Sequence, residues 1–276
     1  MTGPILLADR GVVEIAGADA TKFLHGLVTN DVKGLAPGEA RFCALLAPQG
    51  KILFDFLLFA IGDGEGRRYL IDCSKALEAD LMKRLSLYRL RSGVTITSLS
   101  DALVVFALTE AAQAGGAALT VAPDPRAAAL GFRAIAPRDA LAAGAERADY
   151  DARRLAAGVP EGGLDFSYGE TFPHEANMDL LAGVDFKKGC FVGQEVVART
   201  QHRGLTRRRI ARYRAEGGAP EPGTPVKAGE IDLGVTGSRQ GELGLAMIRL
   251  DRLEDALRAG VTPQAGGARL EFQKGD

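Results

Sequence analysis

The sequence feature that most constrains the fold is the apolar run at residues 52–61, which reads I-L-F-D-F-L-L-F-A-I. Its single polar residue is Asp55, and a run of this kind is typical of a strand that is covered on both faces. Burying a lone carboxylate costs free energy unless the group is paired or hydrogen-bonded. Asp55 is therefore predicted either to meet a partner inside the fold or to face a ligand cavity, and the sequence favours neither alternative.

Both helices and strands are predicted around this run. Residues 39–47 precede it across the turn sequence P-Q-G-K, which predicts a β-hairpin. Asp19 and Ser74 are the predicted N-caps of two helices. The periodicity predicts strands at 5–8, 12–15, 67–71, 94–97, 103–108 and 132–136, and helices at 19–28, 74–89 and 148–157.

Two later regions differ in character. Residues 159–185 have little periodicity and many Gly, Pro and acidic residues, and long segments of this kind are usually functional or disordered. The aromatic and Met side chains within it favour an ordered loop that lines a pocket. Beyond residue 205, short β-like runs separated by Gly and Pro suit a small barrel or sandwich, so the domain boundary is predicted near residue 205.

Composition excludes several classes of protein. The 276 residues are 46% hydrophobic and 25% charged, as in ordinary globular proteins, and the net charge of −1 gives no field that favours nucleic acid or an anionic membrane. No apolar run approaches the ~20 residues of a membrane span. The first ten residues do not resemble a targeting leader, so a cytoplasmic protein is expected. Three widely spaced cysteines and three histidines without metal-site spacing predict no disulfide framework and no metal site.

The segment at residues 184–199, V-D-F-K-K-G-C-F-V-G-Q-E-V-V-A-R, indicates a site of chemistry or ligand contact. Cys190 follows two lysines and a glycine, and Gly193 leads into the start of a short helix. Glycines on both sides of a thiol allow a sharp turn and a close backbone approach. The lysines and the helix N-terminus would both favour the thiolate.

K-G-C-F-V-G-Q-E-V-V-A-R resembles the signature of the YgfZ family, folate-binding proteins of iron–sulfur cluster assembly that are related to the aminomethyltransferase (T-protein) of the glycine cleavage system. The resemblance extends over nearly the whole chain. It includes F-L-H-G-L-V-T-N-D-V-K-G-L at 23–35, A-L-L-A-P-Q-G-K-I-L-F-D at 44–55, R-L-A-A-G-V-P-E at 154–161, F-P-H-E-A-N-M-D at 172–179 and G-L-A-M-I-R near 244.

The resemblance implies an α+β fold of the aminomethyltransferase type. Two interleaved, ferredoxin-like lobes would occupy residues 1–205, a C-terminal antiparallel β-barrel would occupy residues 206–276, and folate would bind in a central cavity of this cloverleaf. The implied function is that of a tetrahydrofolate-binding accessory protein in the assembly or repair of 4Fe–4S clusters. Its implied partners are the iron–sulfur assembly machinery and client 4Fe–4S proteins.

Two departures from the T-protein pattern argue against ordinary aminomethyltransferase activity. Ala156 stands where T-proteins carry the glutamate that grips the pterin, and Phe54-Asp55 replaces a pair of aspartates. A carboxylate is needed to position and deprotonate the partners in methylene transfer. Glu175 is the predicted replacement, because the amino and ring N–H groups of a pterin need an acceptor.

For the signature residues, each functional role has a structural alternative. Cys190 is predicted to be a functional thiol (a nucleophile, a redox contact or a transient metal ligand), although most free cysteines are simply buried. Lys188 is predicted to neutralise the thiolate or a folate carboxylate. Gln194 and Glu195 either contact ligand or pair with nearby backbone, and Arg199 either binds the glutamate tail of folate or forms a salt bridge that locks the loop.

Two further features carry alternatives. Asn30 either ends the first helix or, as the resemblance implies, lines the pocket. The six arginines between residues 203 and 214 are interpreted first as a solvated strand edge. An RNA-directed protein in tRNA modification is the second interpretation, weakened by the lack of interleaved aromatic residues, and a folate-dependent one-carbon transferase is the other alternative function.

Overall fold

The computed structural model describes residues 3–204 and 206–273. The first part of the chain contains β1 (Ile5–Leu6), β2 (Arg10–Ala16), α1 (Ala20–Leu27), β3 (Ala40–Leu46), β4 (Ile52–Ile61), β5 (Arg68–Ser74), α2 (Glu78–Arg89), β6 (Thr95–Ser98), β7 (Leu103–Leu108), β8 (Thr120–Pro123), β9 (Phe132–Pro137) and α3 (Arg147–Ala156). The remainder contains α4 (Gln194–Arg203), β10 (Arg208–Ala215), β11 (Pro225–Ala228), β12 (Ile231–Gln240), β13 (Leu243–Arg249), α5 (Leu250–Arg258), β14 (Gln264–Ala265) and β15 (Ala268–Phe272).

Strand β4 lies inside a five-stranded antiparallel sheet of order β3-β4-β5-β2-β6. The predicted hairpin of β3 and β4 is confirmed, with Cys43 opposite Phe56. Alternate residues of β4 enter two different cores, since Leu57 and Phe59 pack in one cluster and Phe56 and Leu58 pack in another. The apolar run therefore has no polar face because both faces of the strand are covered.

A second sheet of order β1-β7-β9-β8 packs against the first. A buried cluster of charges joins the two sheets. Arg10 of β2 donates to Asp72 of β5 at 2.6 Å, and Arg133 of β9 lies 3.4 Å from the same carboxylate. Arg133 also reaches Asp124, at 3.3 Å. The side chains of both acids are at most 1% exposed, so each charge depends on its partners for compensation.

The C-terminal strands form a closed antiparallel barrel of order β10-β13-β12-β11-β14-β15. Its interior is a core of its own that includes Tyr213, Leu233 and Leu270. Strand β10 pairs with β13 on one side and with β15 on the other. Strand β15 pairs only with Tyr213–Ala215, so Arg214 has a strand partner on both sides, whereas Arg208 and Arg209 pair with β13 alone and lie at an edge, as the sequence predicted for this strand.

Two predicted helix caps are also corrected. Ser74 is the last residue of β5, opposite Arg10, and α2 begins only at Glu78 after a short 3₁₀ turn. Asp19 stands at the N-cap position of α1 but makes no side-chain capping bond. Its carboxylate instead accepts the Gly93 N–H at 2.7 Å. In both cases pairing with a distant strand or loop overrides the local signal.

Candidate functional site

The cysteine segment is anchored to the end of α1 through Lys188. The Nζ atom of Lys188 donates to the carbonyl oxygens of His25 at 2.5 Å and Val28 at 2.7 Å. Carbonyl groups at a helix C-terminus lack partners within the helix and favour a cation. Burial lowers the pKa of Lys188 to about 8. The ammonium group of Lys188 thus binds the carbonyl oxygens at the end of α1. The sequence had predicted that it neutralises the thiolate or a folate carboxylate.

A second anchor holds the segment to the turn between β3 and β4. Gly193 has a φ of +79° at the start of α4, and a Cβ atom there would lie 2.6 Å from the Ala47 carbonyl oxygen. The backbone of the segment therefore approaches this turn as closely as a glycine allows. Gln194 closes the turn at 191–194 that leads into α4, since its Oε1 atom accepts the Phe191 N–H at 3.1 Å. This is the structural alternative considered for Gln194.

Cys190 lies between these two anchors and is exposed, whereas Cys43 and Cys73 are buried. Burial raises the pKa of each buried thiol to about 12. A thiol reacts as the thiolate, so both buried cysteines are unreactive at neutral pH. Cys190 is therefore the accessible cysteine of the chain, held on a loop that is fixed to the end of α1 on one side and to the β3–β4 turn on the other.

Glu195 and Arg199 form a salt bridge of 3.0 Å along the outer face of α4. Their side chains are 85% and 58% exposed. Exposed pairs at this spacing stabilise a helix only slightly. Of the two roles predicted for Arg199, the structure shows a salt bridge, and that bridge lies within helix α4.

Asn30 ties three parts of the chain together. Its Nδ2 atom donates to the carbonyl oxygens of Phe42 at 2.9 Å and Ala182 at 2.6 Å, and its Oδ1 atom accepts the Asp31 N–H. The residue also borders a surface cleft of about 440 Å³ together with Lys187. With both Nδ2 protons donated to the backbone, Asn30 shapes this region rather than offering free donors to a ligand.

Asp55 meets a partner inside the fold. Its carboxylate accepts the hydroxyl proton of Tyr168, and Asp55 is only 7% exposed. Burial and the nearby carboxylate both raise the pKa of Tyr168, so the tyrosine remains a donor. Tyr168 was not predicted as a site residue. The irregular sequence around it gives no periodic signal for its orientation.

An apolar cavity of about 710 Å³ lies where α3, the irregular segment, β10 and α5 meet. Ala157 and Gly158 form one wall, next to Ala156, and Leu180 and Leu181 form another. The guanidinium group of Arg212 also lines the cavity and donates to the Ala156 carbonyl oxygen. No carboxylate of the described residues lies within 4 Å of Arg212, a residue that the sequence did not single out as a ligand group.

Glu175 does not line this cavity. It lies in a separate cleft of about 320 Å³ beside α4 and the barrel. Its Oε2 atom accepts the Phe172 N–H at 2.9 Å, and its Oε1 atom is 3.7 Å from Arg208. The structure therefore separates Glu175 from the 154–158 segment whose missing glutamate it was predicted to replace.

Two properties of the described residues bear on other classes of site. No group of three or more His, Cys, Asp or Glu side chains among them is arranged to hold a metal ion. Over the same residues, no helix is both long and apolar enough to cross a membrane.

The fold is of the aminomethyltransferase type. A solved structure of the glycine cleavage system aminomethyltransferase T from Bartonella henselae superposes with a TM-score of 0.75 at 16% identity, covering 99% of this chain and 85% of that one. Family models described as the GCVT N-terminal domain and the CAF17 C-terminal beta-barrel domain match residues 8–124 and 207–276. The predicted fold class, α+β with a C-terminal antiparallel barrel, is confirmed.

More similar relatives identify the family within this class. The iron–sulfur cluster assembly factor IBA57 homolog of Mycosarcoma maydis is 36% identical, over 96% of this chain and 69% of the relative. The human and mouse IBA57 proteins are 31% and 33% identical, each over 91% of this chain and 78% of the relative. The chain therefore belongs to the IBA57 family of iron–sulfur cluster assembly factors.

These relatives also correct one prediction. All three are named as mitochondrial proteins. The prediction of a cytoplasmic protein is therefore wrong. It depended on the absence of a leader-like pattern in the first ten residues, which is a weak argument about location.

Proposed function

We propose that this protein is a tetrahydrofolate-binding accessory factor of the YgfZ type that assists the assembly or repair of 4Fe–4S clusters in client enzymes. Membership of the IBA57 family supports the iron–sulfur role. The observation that carries the proposal is the exposure of Cys190 on a doubly anchored loop. Because the loop is already ordered, binding of its thiol to a partner protein does not carry the entropic cost of ordering the loop.

Cys190 is the group that we assign to contact with the cluster-handling partner. Its loop is fixed by Lys188 at the end of α1 and by Gly193 at the turn between β3 and β4. An exposed thiolate binds iron or exchanges with a disulfide, and a buried thiol does neither. Because Cys43 and Cys73 are buried, these reactions fall to Cys190 alone.

Complementation tests this assignment. Cys190→Ser should abolish rescue of a client 4Fe–4S enzyme in cells that lack the protein, while the variant retains the wild-type melting temperature. Lys187→Ala is the matched control, because Lys187 lies on the same loop and its Nζ atom forms no hydrogen bond or ion pair with another described residue. Full rescue of client activity by Cys190→Ser would refute the assignment.

The 710 Å³ cavity is where we place folate. Its size falls within the range of small-molecule sites, its walls are mainly apolar, and Arg212 supplies a cation for the carboxylates of a glutamate tail. Glu254 is the one carboxylate among the described lining residues; one of its oxygens pairs with Arg258 at 2.8 Å, and we assign the other to the donors of a pterin. The chemistry of this lining therefore fits a folate, although Ala156 cannot act as the T-protein glutamate does.

Calorimetric titration with tetrahydrofolate tests this placement. Arg212→Ala should weaken binding by about tenfold or more, because a charge-assisted contact to the tail is lost. Arg214→Ala is the control, since Arg214 is on the same strand but pairs with Glu242 outside the cavity. Equal affinities of the two variants, or no binding by the wild-type protein, would contradict the placement.

The alternative activity, aminomethyl transfer, makes a different prediction. A T-protein-type reaction needs a carboxylate at the position of Ala156, and the described structure brings Glu175 to another cleft. Incubation with tetrahydrofolate and an aminomethylated carrier should yield no methylene-tetrahydrofolate. Formation of that product would favour the alternative.

A further inference from the structure

A second cleft, of about 320 Å³, lies between the last turn of α4, the turn before the barrel and the ends of β10 and β13. It is distinct from the folate cavity, with which it shares no lining residue. Its described lining residues are Phe172, His174, Glu175, Thr200, Thr206, Arg207, Arg208 and Arg249. The abundance of arginine in so small a cleft requires an explanation.

The arginines are close together because of strand pairing. Arg208 lies directly opposite Arg249 in the pairing of β10 with β13, and the Arg207 carbonyl oxygen accepts the Leu250 N–H at 2.8 Å. Like charges directly opposite one another destabilise a sheet unless anions compensate them. Asp251 pairs with Arg249 at 2.7 Å, and Glu175 lies 3.7 Å from Arg208.

Arg207 has no such compensation. No carboxylate of the described residues lies within 4 Å of its guanidinium group, although the group lines the cleft. Of the three guanidinium groups that line the cleft, one pairs with Asp251 outside it and one lies near Glu175, which leaves one net positive charge. The Thr206 hydroxyl group beside it also makes no hydrogen bond to the described residues. This corner of the cleft therefore favours an anion.

An acceptor lies in the same cleft. The Oε2 atom of Glu175 accepts the Phe172 N–H, but its Oε1 atom accepts no hydrogen bond and lies beyond hydrogen-bond distance from Arg208. A carboxylate with one free oxygen attracts a cationic or N–H donor. The cleft thus combines a site for an anion with a site for a donor.

We propose that this cleft binds a free acidic α-amino acid. Its carboxylates would pair with Arg207 and Arg208, and its ammonium group would donate to the Oε1 atom of Glu175. The single negative charge of such a ligand matches the single net positive charge of the cleft. A volume of about 320 Å³ is at the lower end for ligand sites, which suits a molecule of amino-acid size.

Calorimetry with L-glutamate and with glutarate, the same diacid without an ammonium group, tests both parts of the site. Wild-type protein should bind glutamate about tenfold or more tightly than glutarate, because only glutamate donates to Glu175. Glu175→Gln should remove this preference. Arg207→Ala should weaken both ligands, whereas Arg214→Ala, a change outside the cleft, should weaken neither.

The outcomes separate this inference from the folate proposal. Arg207→Ala should leave tetrahydrofolate affinity unchanged, because Arg207 does not line the larger cavity. Failure of wild-type protein to bind glutamate, or equal binding of glutamate and glutarate, would overturn the inference. Tighter binding of inorganic phosphate than of glutamate would also overturn it, since phosphate needs the arginines but not the acceptor.

Discussion

Replacing Asp72 with alanine tests the charge cluster that joins the two sheets of the α+β region. Asp72 is fully buried and accepts the Arg10 Nε proton at 2.6 Å. It also lies 3.4 Å from Arg133, whose side chain is only 3% exposed. Asp72→Ala would therefore leave the buried guanidinium group of Arg133 and the largely buried one of Arg10 with less compensation. The cost arises from the uncompensated charge as well as from the lost hydrogen bond.

The expected loss of unfolding free energy is about 3 kcal/mol. Removing one member of a buried ion pair costs about 3–5 kcal/mol. Asp124 remains 3.3 Å from Arg133 in the variant, so that guanidinium group keeps one partner. The lower end of the range is expected for this reason. Arg10 has no second carboxylate partner within 4 Å among the described residues and accounts for most of the loss.

Urea denaturation followed by circular dichroism measures the effect. Glu242→Ala is the control, because the pair of Glu242 with Arg214 is half exposed and such surface pairs contribute about 1 kcal/mol or less. Asp72→Ala should lower the midpoint clearly more than the control without changing the denaturant slope. Equal midpoints for the two variants would refute the claim that the cluster holds the sheets together.

Three further predictions concern the cysteine loop. Gly193→Ala should lower the melting temperature more than Gly204→Ala, because both residues have positive φ but only Gly193 has backbone where a Cβ would lie; equal shifts in a thermal scan would contradict this. Native protein treated with iodoacetamide should gain one adduct by intact mass, at Cys190, and further adducts only after unfolding; native labelling of the buried cysteines would be inconsistent with the structure. Burial lowers the pKa of Lys188 from its usual value of 10.5 to about 8 in the folded state. Between these two pH values the unfolded state binds more protons than the folded state, so the free energy of unfolding should rise with pH. Lys188→Met should lack this rise, and parallel pH profiles of unfolding free energy would argue against the lowered pKa.

The sequence predicted those helices and strands whose pattern lies within a short stretch of chain. The β3–β4 hairpin follows from two apolar runs around P-Q-G-K, and α1 follows from its apolar spacing. The closed barrel also agrees with the expectation of short strands separated by Gly and Pro. In each case the residues that carry the sequence pattern are the same residues that form the element.

The contacts that define the site were not predictable in this way. Tyr168 meets Asp55 across 113 positions of sequence, and Lys188 meets the end of α1 across 163. The sequence left two alternatives for the buried carboxylate, an internal partner or a ligand cavity, and the identity of the partner that the structure shows depends on chain topology. Glu175 shows the same limit, since its chemistry suits a pterin while the fold places it in another cleft.

Arg207 could not be singled out from the sequence for a different reason. A run of arginines was interpreted as a single surface feature, yet the structure gives its members separate roles. Arg209 forms two bonds to Asp179, and Arg214 pairs with Glu242. Which arginine remains unpaired depends on strand register and on carboxylates far away in the sequence, so composition alone does not reveal it.

The most direct test of the central claim uses the exposure of Cys190 itself. Native protein is alkylated at Cys190 alone, and its ability to promote 4Fe–4S cluster formation on an apo client enzyme is followed by the absorbance of the cluster and by client activity. Blocking this thiol should abolish the promotion while leaving the melting temperature unchanged. Undiminished cluster formation with fully alkylated Cys190 would contradict the account.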